Sequence, residues 1–162
     1  MNYKMYRRLD LFVFLILMTF SSIISLFLFS NKSFQFYFSF TVLVLFITLV
    51  RWNYLGLAPY ILSQAILSIF QICFFHTEVA FTLVANIGGA LFLFVIPLVL
   101  TKYKKAVRKN PLILSLMLLL TYILIGLGKG IALLFVGDFH FFANVIFYIF
   151  NQEIYSIVIS LI

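Results

Sequence analysis

The sequence predicts an all-α integral membrane protein: a single domain, residues 1–162, that forms a bundle of six transmembrane helices with both termini in the cytoplasm. Three observations lead to this prediction. Of the 162 residues, 65% are hydrophobic and only 9% are charged, whereas a soluble domain is about 25% charged. The apolar residues form stretches near the length of about 20 residues that a helix needs to cross a bilayer. The basic residues gather between these stretches.

Charged residues, prolines and polar clusters divide the chain into six apolar segments. The predicted spans are residues 11–29, 34–50, 55–74, 79–100, 111–128 and 139–162. Asn110 and Pro111 mark the start of the fifth, because Asn is a favoured N-cap and Pro is favoured at the first helical position. The fifth span either ends in the glycine-rich residues 126–130 or continues to Val136. Pro97 is expected to kink or end the fourth.

The distribution of lysine and arginine predicts the orientation, because cytoplasmic loops of membrane proteins carry an excess of both. With the N-terminus inside, the outer connections carry Lys32, and Lys129 lies near the outer end of the fifth span. The cytoplasmic segments carry the other basic residues: Lys4, Arg7, Arg8, Arg51, Lys102, Lys104, Lys105, Arg108 and Lys109. Membrane topology therefore explains the net charge of +7, and no nucleic acid partner is expected.

Polar residues inside the predicted spans recur at helical spacing and so share faces. They are Tyr60, Gln64, Ser68 and Gln71 in the third span, Thr82, Asn86 and Gly89 in the fourth, Tyr122, Gly126 and Lys129 in the fifth, and Asn144, Tyr148, Asn151 or Gln152, and Tyr155 in the sixth. Two interpretations stay open. These residues hold the helices together, at about 0.6 kcal/mol per hydrogen-bonded pair, or helices three to six surround a polar cavity.

Two ionisable residues inside the spans carry more weight, because a charge at the bilayer centre costs about 2.5–3.5 kcal/mol on insertion scales. Lys129 either extends to the outer interface or contacts a ligand. Glu153 lies some 20 Å along the last helix, at about 1.5 Å per residue, and is expected to reach a partner, a cavity or the inner face. Four more titratable residues fall in the outer loops that would cover a cavity: His76, Glu78, Asp138 and His140.

The sequence contains little that favours catalysis. There is no Walker A motif, no HExxH and no GxSxG. A single cysteine, Cys73, excludes an internal disulfide and a cysteine-based zinc site. We therefore expect a protein that is not an enzyme, with no catalytic residue, no metal and no cofactor.

Three short motifs after the second span carry a family resemblance. Residues 51–56 (Arg-Trp-Asn-Tyr-Leu-Gly) resemble an Arg-Trp-Gly-type opening, and residues 85–89 (Ala-Asn-Ile-Gly-Gly) with the basic segment after them resemble a fourth span and its exit. Residues 122–137, which contain Gly128-Lys129-Gly130, resemble a Tyr…Gly-Arg…Gly stretch in a fifth span. Together with the chain length and the predicted topology, these motifs are similar to the substrate-binding S components of energy-coupling factor (ECF) vitamin transporters.

The resemblance implies a protein of the bacterial plasma membrane that binds a vitamin-like small molecule near the outer face. It also implies two kinds of protein partner, a transmembrane coupling subunit and ATPase subunits. In this family small residues of the first span, usually Ala-x-x-x-Ala, dock to the coupling subunit. Ser21 and Ser25 form the nearest equivalent here, and Lys129 stands where the family has Arg.

The leading hypothesis is therefore a membrane-embedded solute-binding subunit of an ECF-type importer. The residues expected to bind the substrate are Asn86, Tyr122, Lys129, Asn144, Tyr148 and Asn151. Lys129 would contact an anionic or polar group, and the tyrosines would form amphipathic walls. The alternative is an integral membrane protein with a structural or assembly role, outside transport, whose polar faces bind partner helices within the lipid bilayer.

Overall fold

The computed structural model describes residues 3–30, 39–140, 143, 145–146, 148–149 and 153–161. Within these residues the regular secondary structure is helical and no strand is found, so the all-α prediction is confirmed. The elements are α1 (Tyr3–Ser30), α2 (Thr41–Trp52), a 3₁₀ turn (Asn53–Gly56), α3 (Leu57–Phe75), α4 (Val79–Gly88), α5 (Val95–Lys109), α6 (Pro111–Leu134) and α7 (Ile154–Leu161).

Three segments of the described chain are long and apolar enough to cross a membrane: Tyr3–Leu28, Thr41–Phe75 and Pro111–Leu134. The second of these is not one straight rod. Asn53 has a φ of 56°, and a Cβ on Gly56 would lie 2.9 Å from the carbonyl carbon of Thr48. The chain therefore turns at the 3₁₀ segment and packs α3 against the end of α2. Membrane-length helices are present, and the bundle of six separate spans stays a prediction.

The first helix begins at Tyr3 rather than at the predicted residue 11. Contacts with the end of α2 hold this extra length. The Asp10 carboxylate lies 3.1 Å from Nε of Arg51 and also accepts a hydrogen bond from Trp52 Nε1. The rings of Tyr3 and Tyr6 pack on Trp52, with centroids 5.9 and 6.3 Å apart. Tyrosine, tryptophan and arginine together are typical of a membrane–water interface.

The predicted fourth span is interrupted. Helix α4 ends at Gly88, and residues 89–94 form turns before α5 begins at Val95. Consecutive glycines explain this end, because glycine is about 1 kcal/mol less favourable than alanine inside a helix. The break thus precedes Pro97, which lies in the first turn of α5, where a missing N–H costs little. The basic segment that follows is also helical, with a kink at Tyr103.

Helix α6 begins at Pro111, as predicted. The side chain of Asn110 accepts a hydrogen bond from the Leu112 amide at 3.0 Å and so caps the helix. The helix continues through the glycine-rich residues to Leu134, so the longer of the two predicted alternatives is confirmed. Gly137, with a φ of 91°, then turns the chain.

Helices α4 and α6 cross so closely that their contact requires glycine. A Cβ on Gly128 would lie 2.5 Å from the carbonyl oxygen of Gly88 and 3.2 Å from Cα of Gly89. A Cβ on Gly88 would in turn overlap that of Ala132. The Gly88–Gly128 contact therefore fixes the distance between the two helices. It also holds the residues just before the break in α4 against α6.

The predicted sixth span is not one continuous helix in the described residues. Residues 143, 145 and 146 have helical backbone, residues 148–149 form a π-helical turn, and Glu153 lies in a bend before α7. The Glu153 amide donates to the Tyr148 carbonyl at 3.1 Å, a five-residue spacing that is typical of a π-bulge. A Cβ on Gly126 would lie 3.1 Å from Cδ1 of Tyr148. Glycine at this position therefore lets the bulge pack closely on α6.

The helices bury an apolar core and leave many apolar side chains on the outside. Core residues that are almost fully buried include Met18, Leu45, Leu49, Leu93, Ile96 and Ile125. On α1, the large side chains of Phe12, Phe20, Ile24 and Phe27 are more than half exposed. An exposed apolar surface of this kind suits contact with lipid rather than with water.

We expect Gly128→Val to destabilise the protein by at least about 1 kcal/mol, since overpacking a tight contact typically costs 1–3 kcal/mol and the neighbouring atoms here are backbone. Ala80→Val is the matched control, because Ala80 is exposed on α4. Thermal unfolding in detergent measures the effect, and size-exclusion chromatography checks that each variant is monodisperse. Equal melting temperatures for the two variants would contradict the close crossing.

Candidate functional site

A cavity of about 430 Å³ lies among the described helices, within the range of roughly 300–1,000 Å³ that small-molecule sites occupy. Residues from α1, α3, α4 and α6, from the start of α2, and from the segment before α7 line it. Its polar lining residues are Ser22, Ser39, Thr41, Tyr60, Gln64, Gln71, Thr77, Thr82, Asn86, Lys129, Tyr148 and Glu153. A polar chamber has therefore formed inside a bundle of largely apolar helices.

The polar face of α3 lines this cavity, so its predicted inward orientation is confirmed. Tyr60, Gln64 and Gln71 belong to the lining, and Tyr60 and Gln64 are almost fully buried. The Gln64 side-chain amide makes no hydrogen bond within the described part of the chain. An amide has two donors and an acceptor, and those of Gln64 are free to contact water or a bound molecule.

Asn86 of α4 joins the polar faces of α3 and α4. Its Nδ2 donates to Ser68 Oγ at 3.0 Å and to Gln71 Oε1 at 2.6 Å, which uses both N–H groups. The side chain is 8% exposed and also lines the cavity. Asn86 therefore fits both interpretations of the polar stripes, since it links two helices and forms part of a polar wall.

The charged part of the lining is built around Tyr148. The Lys129 Nζ lies 4.1 Å from the centroid of the Tyr148 ring, and the Tyr148 hydroxyl donates to Glu153 Oε1 at 3.2 Å. Glu153 is only 4% exposed, and its second oxygen, Oε2, has no hydrogen-bond partner among the described residues. Lys129 and Glu153 form no direct ion pair there. A basic and an acidic side chain therefore line the cavity without a direct ion pair between them.

A chain of hydroxyl groups forms another part of the lining. Ser22 Oγ and Thr41 Oγ1 lie 2.7 Å apart, and Thr41 Oγ1 lies 2.6 Å from Ser39 Oγ. The Ser39 amide donates to Ser156 Oγ at 2.9 Å. These contacts join α1, the start of α2 and α7. The polar atoms of this wall are therefore satisfied within the chain.

The structure brings together three of the six predicted substrate-binding residues. Asn86, Lys129 and Tyr148 line the cavity. Tyr122 does not line it: this side chain is 1% exposed in the core, with its hydroxyl 3.2 Å from Ser160 Oγ. The remaining two, Asn144 and Asn151, lie outside the described residues.

The two serines predicted to dock a coupling subunit make contacts within the chain. Ser25 is 1% exposed and donates to the Ser21 carbonyl at 2.7 Å. The Ser21 hydroxyl accepts from the Phe40 amide, also at 2.7 Å. Docking through these residues stays a prediction. It would require a partner to approach the chain beside them, since both hydroxyls are engaged.

The predicted outer loops contribute less than expected. Thr77, between α3 and α4, lines the cavity, whereas none of the four titratable loop residues does. His76, Glu78 and His140 are exposed, and Asp138 accepts a hydrogen bond from the His140 amide. These loop charges are therefore largely solvated.

Several residues that line the cavity are not among the substrate-binding residues predicted from the sequence. Gln64 and Gln71 lie on the predicted polar face of α3 and are not among the six predicted substrate-binding residues, although their helical spacing is a sufficient signal. Ser22 and Thr41 gave no signal, because isolated hydroxyls in apolar helices often bond only to the carbonyls of their own helix. Glu153 is expected to reach a partner, a cavity or the inner face, and the structure places it at the cavity. The π-bulge beside it depends on packing and cannot be predicted from spacing.

Comparisons with protein-family models, curated proteins and solved structures gave no match. The functional interpretation therefore depends on the residues of the cavity and on the chemistry that they offer.

We expect Asn86→Ala to lower stability by about 1 kcal/mol, because it removes two hydrogen bonds at roughly 0.6 kcal/mol each. Thr101→Ala is the control, since this exposed threonine bonds only to the Leu98 carbonyl of its own helix. Melting temperatures in detergent provide the comparison. If Asn86→Ala and the control have equal melting temperatures, Asn86 does not link α3 to α4.

Proposed function

We propose that this protein is the membrane-embedded solute-binding subunit of an ECF-type importer and that it captures a vitamin-like small molecule. The observation that carries the proposal is the polar cavity of about 430 Å³ inside apolar helices. A polar chamber in such a bundle has an energetic cost, since lipid offers no hydrogen bonds to polar groups. A bound polar solute would supply these groups with hydrogen-bonding partners and so offset that cost.

The two helix breaks support a transport role. Helix α4 ends two residues after Asn86, and the last segment bends at Glu153, so each break lies beside a lining residue. Substrate sites in many transporters are formed by discontinuous helices near the middle of the membrane. Interrupted backbone is tolerated at such depth where it is buried in protein or lines a cavity.

In this proposal the cavity opens to the outside of a bacterial plasma membrane, and six spans place both termini in the cytoplasm. Two features of the described chain support the orientation. The lining includes Thr77 of the predicted outer loop. The cluster of Asp10, Arg51 and Trp52 lies at the other ends of α1 and α2, where the predicted cytoplasmic cations are found.

Energy for uptake would come from partners, a transmembrane coupling subunit and ATPase subunits, as in the family that the sequence resembles. The exposed apolar side of α1 supports a helix that contacts lipid and neighbouring subunits, because Phe12, Phe20 and Ile24 are more than half exposed among the described residues. The solute would move inward when the bound protein moves against the coupling subunit.

One observation favours the alternative, a structural or assembly protein. Asn86 and the hydroxyl chain from Ser22 to Ser39 show that several polar groups link helices of this chain to one another. In the assembly hypothesis the remaining polar groups would bind partner helices. The Glu153 oxygen and the Gln64 amide, which have no hydrogen-bond partner among the described residues, instead line the cavity. For this reason we favour solute binding.

The proposal predicts that the purified protein binds one small solute without its partners. Native mass spectrometry of the protein from bacterial membranes should detect a copurifying small molecule, and Lys129→Ala should weaken its binding at least tenfold. Lys102→Ala is the matched control, because the Lys102 Nζ lies 5.6 Å from the Tyr103 ring, outside the cavity. Protein-only complexes with no bound small molecule would contradict solute binding and support the assembly role.

A further inference from the structure

Glu153 presents an acceptor oxygen without a hydrogen bond of normal geometry among the described residues. One carboxylate oxygen accepts from the Tyr148 hydroxyl at 3.2 Å, and the other has no hydrogen-bond partner among the described residues. The residue is 4% exposed and lines the cavity. Burial of an unpaired carboxylate oxygen is unfavourable. A bound group that donates an N–H bond, above all a cationic one, would remove this cost.

Lys129 offers hydrogen-bond donors, as Glu153 offers an acceptor. Its ammonium group lies over the Tyr148 ring at 4.1 Å from the centroid. That contact uses the charge and leaves N–H donors, of which an ammonium has three. No hydrogen bond or ion pair of Lys129 occurs within the described part of the chain. An anionic group in the cavity would accept from these donors.

The position of Tyr148 keeps the two charges apart and on the same side of the cavity. Its ring contacts Lys129 and its hydroxyl contacts Glu153. Among the described residues the two charged groups form no direct ion pair, so each still has hydrogen-bonding capacity to offer a bound molecule. A solute with a single charge would satisfy one of them and leave the other unmatched at low dielectric. A solute that carries both signs would satisfy both.

The rest of the lining defines the body of the solute. Leu26, Leu67, Phe81 and Leu133 contribute apolar surface, and the Gln64 amide contributes neutral hydrogen-bonding groups. This combination suits an apolar or aromatic body whose charged groups are gathered at one end. The cavity volume of about 430 Å³ limits the solute to a small molecule.

We propose that the cavity binds a small zwitterionic solute with an apolar body, its anionic group at Lys129 and its cationic N–H group at Glu153. This inference rests on the proposed function and narrows its substrate class. The net charge of the solute is zero, as is the sum of the Lys129 and Glu153 side-chain charges. Selectivity would therefore depend on the presence of both groups rather than on overall charge.

The test uses the full-length protein in lipid nanodiscs and an equimolar mixture of defined compounds. The mixture contains matched sets built on one body, namely tryptophan, tryptamine, indole-3-propionate and tryptophol, and the equivalent phenylalanine and leucine sets. It also contains the water-soluble vitamins. Compounds retained after rapid desalting are quantified by mass spectrometry, and dissociation constants are then measured for the retained ones.

We expect a zwitterionic compound to be retained at least tenfold better than singly charged or neutral molecules with a similar body. Lys129→Met and Glu153→Gln should each weaken its binding at least tenfold. Lys129→Met should shift selectivity toward amines, and Glu153→Gln toward acids. Lys102→Met and Glu78→Gln are matched controls that make the same charge changes at exposed positions, and they should leave binding unchanged.

Each result is decisive. Retention of a neutral or singly charged compound, with affinity unchanged in both cavity variants, would overturn the inference while the proposed function stands. Retention of no compound, vitamins included, would overturn both. A cavity variant that does not elute as the wild-type protein does on size exclusion is misfolded. In that case the preference of the wild-type protein for the zwitterion within the matched sets tests the inference.

Discussion

The scarcity of hydrogen-bonding partners inside an apolar bundle constrains every polar group of this protein. Within the described chain most of these groups meet one another: Asn86 with Ser68 and Gln71, and Ser22 with Thr41 and Ser39. Such contacts join neighbouring helices, and so they favour the faces that turn inward. Two of the exceptions, Glu153 Oε2 and the Gln64 amide, lie at one cavity, which is the reason to assign that cavity a ligand. A third, Asn53 Oδ1, is buried at the 3₁₀ turn.

Backbone breaks and close glycine contacts work together to open this cavity. Gly88 and Gly128 bring α4 and α6 together, and α4 ends there. The i→i−3 hydrogen bonds of residues 89–94, such as Leu91 N to Gly88 O at 3.0 Å, satisfy the backbone where the helix stops. At the other break, the π-bulge before Glu153 turns a carboxylate toward the same space. Two interruptions therefore create room that continuous, well-packed helices would fill.

Local signals were enough to predict part of this arrangement. Asn110 and Pro111 fixed the start of α6 because capping depends only on adjacent residues. The spacing of Tyr60, Gln64 and Gln71 fixed the inward face of α3 because helical periodicity is local as well.

Features that depend on distant contacts could not be read in the same way. The extension of α1 depends on Asp10 meeting Arg51, which lies on another helix. The close crossing of α4 and α6 depends on Gly88 meeting Gly128, which lies forty residues further along the chain. Tyr122 was placed in the site by its helical face, and the structure instead packs it against Ser160, because the faces of neighbouring helices decide which part of a stripe meets a cavity.

The central claim is that the polar faces enclose water-accessible space rather than a packed interior. Cysteine accessibility in lipid nanodiscs tests it most directly, in a Cys73→Ser background. Gln64→Cys lies in the cavity and Leu62→Cys on the outer side of the same helix, where the wild-type leucine is 53% exposed. A charged, water-soluble thiol reagent should modify Gln64→Cys and spare Leu62→Cys, because thiolates form in water and not in lipid. An unreactive Gln64→Cys, or equal reaction at both sites, would contradict the account.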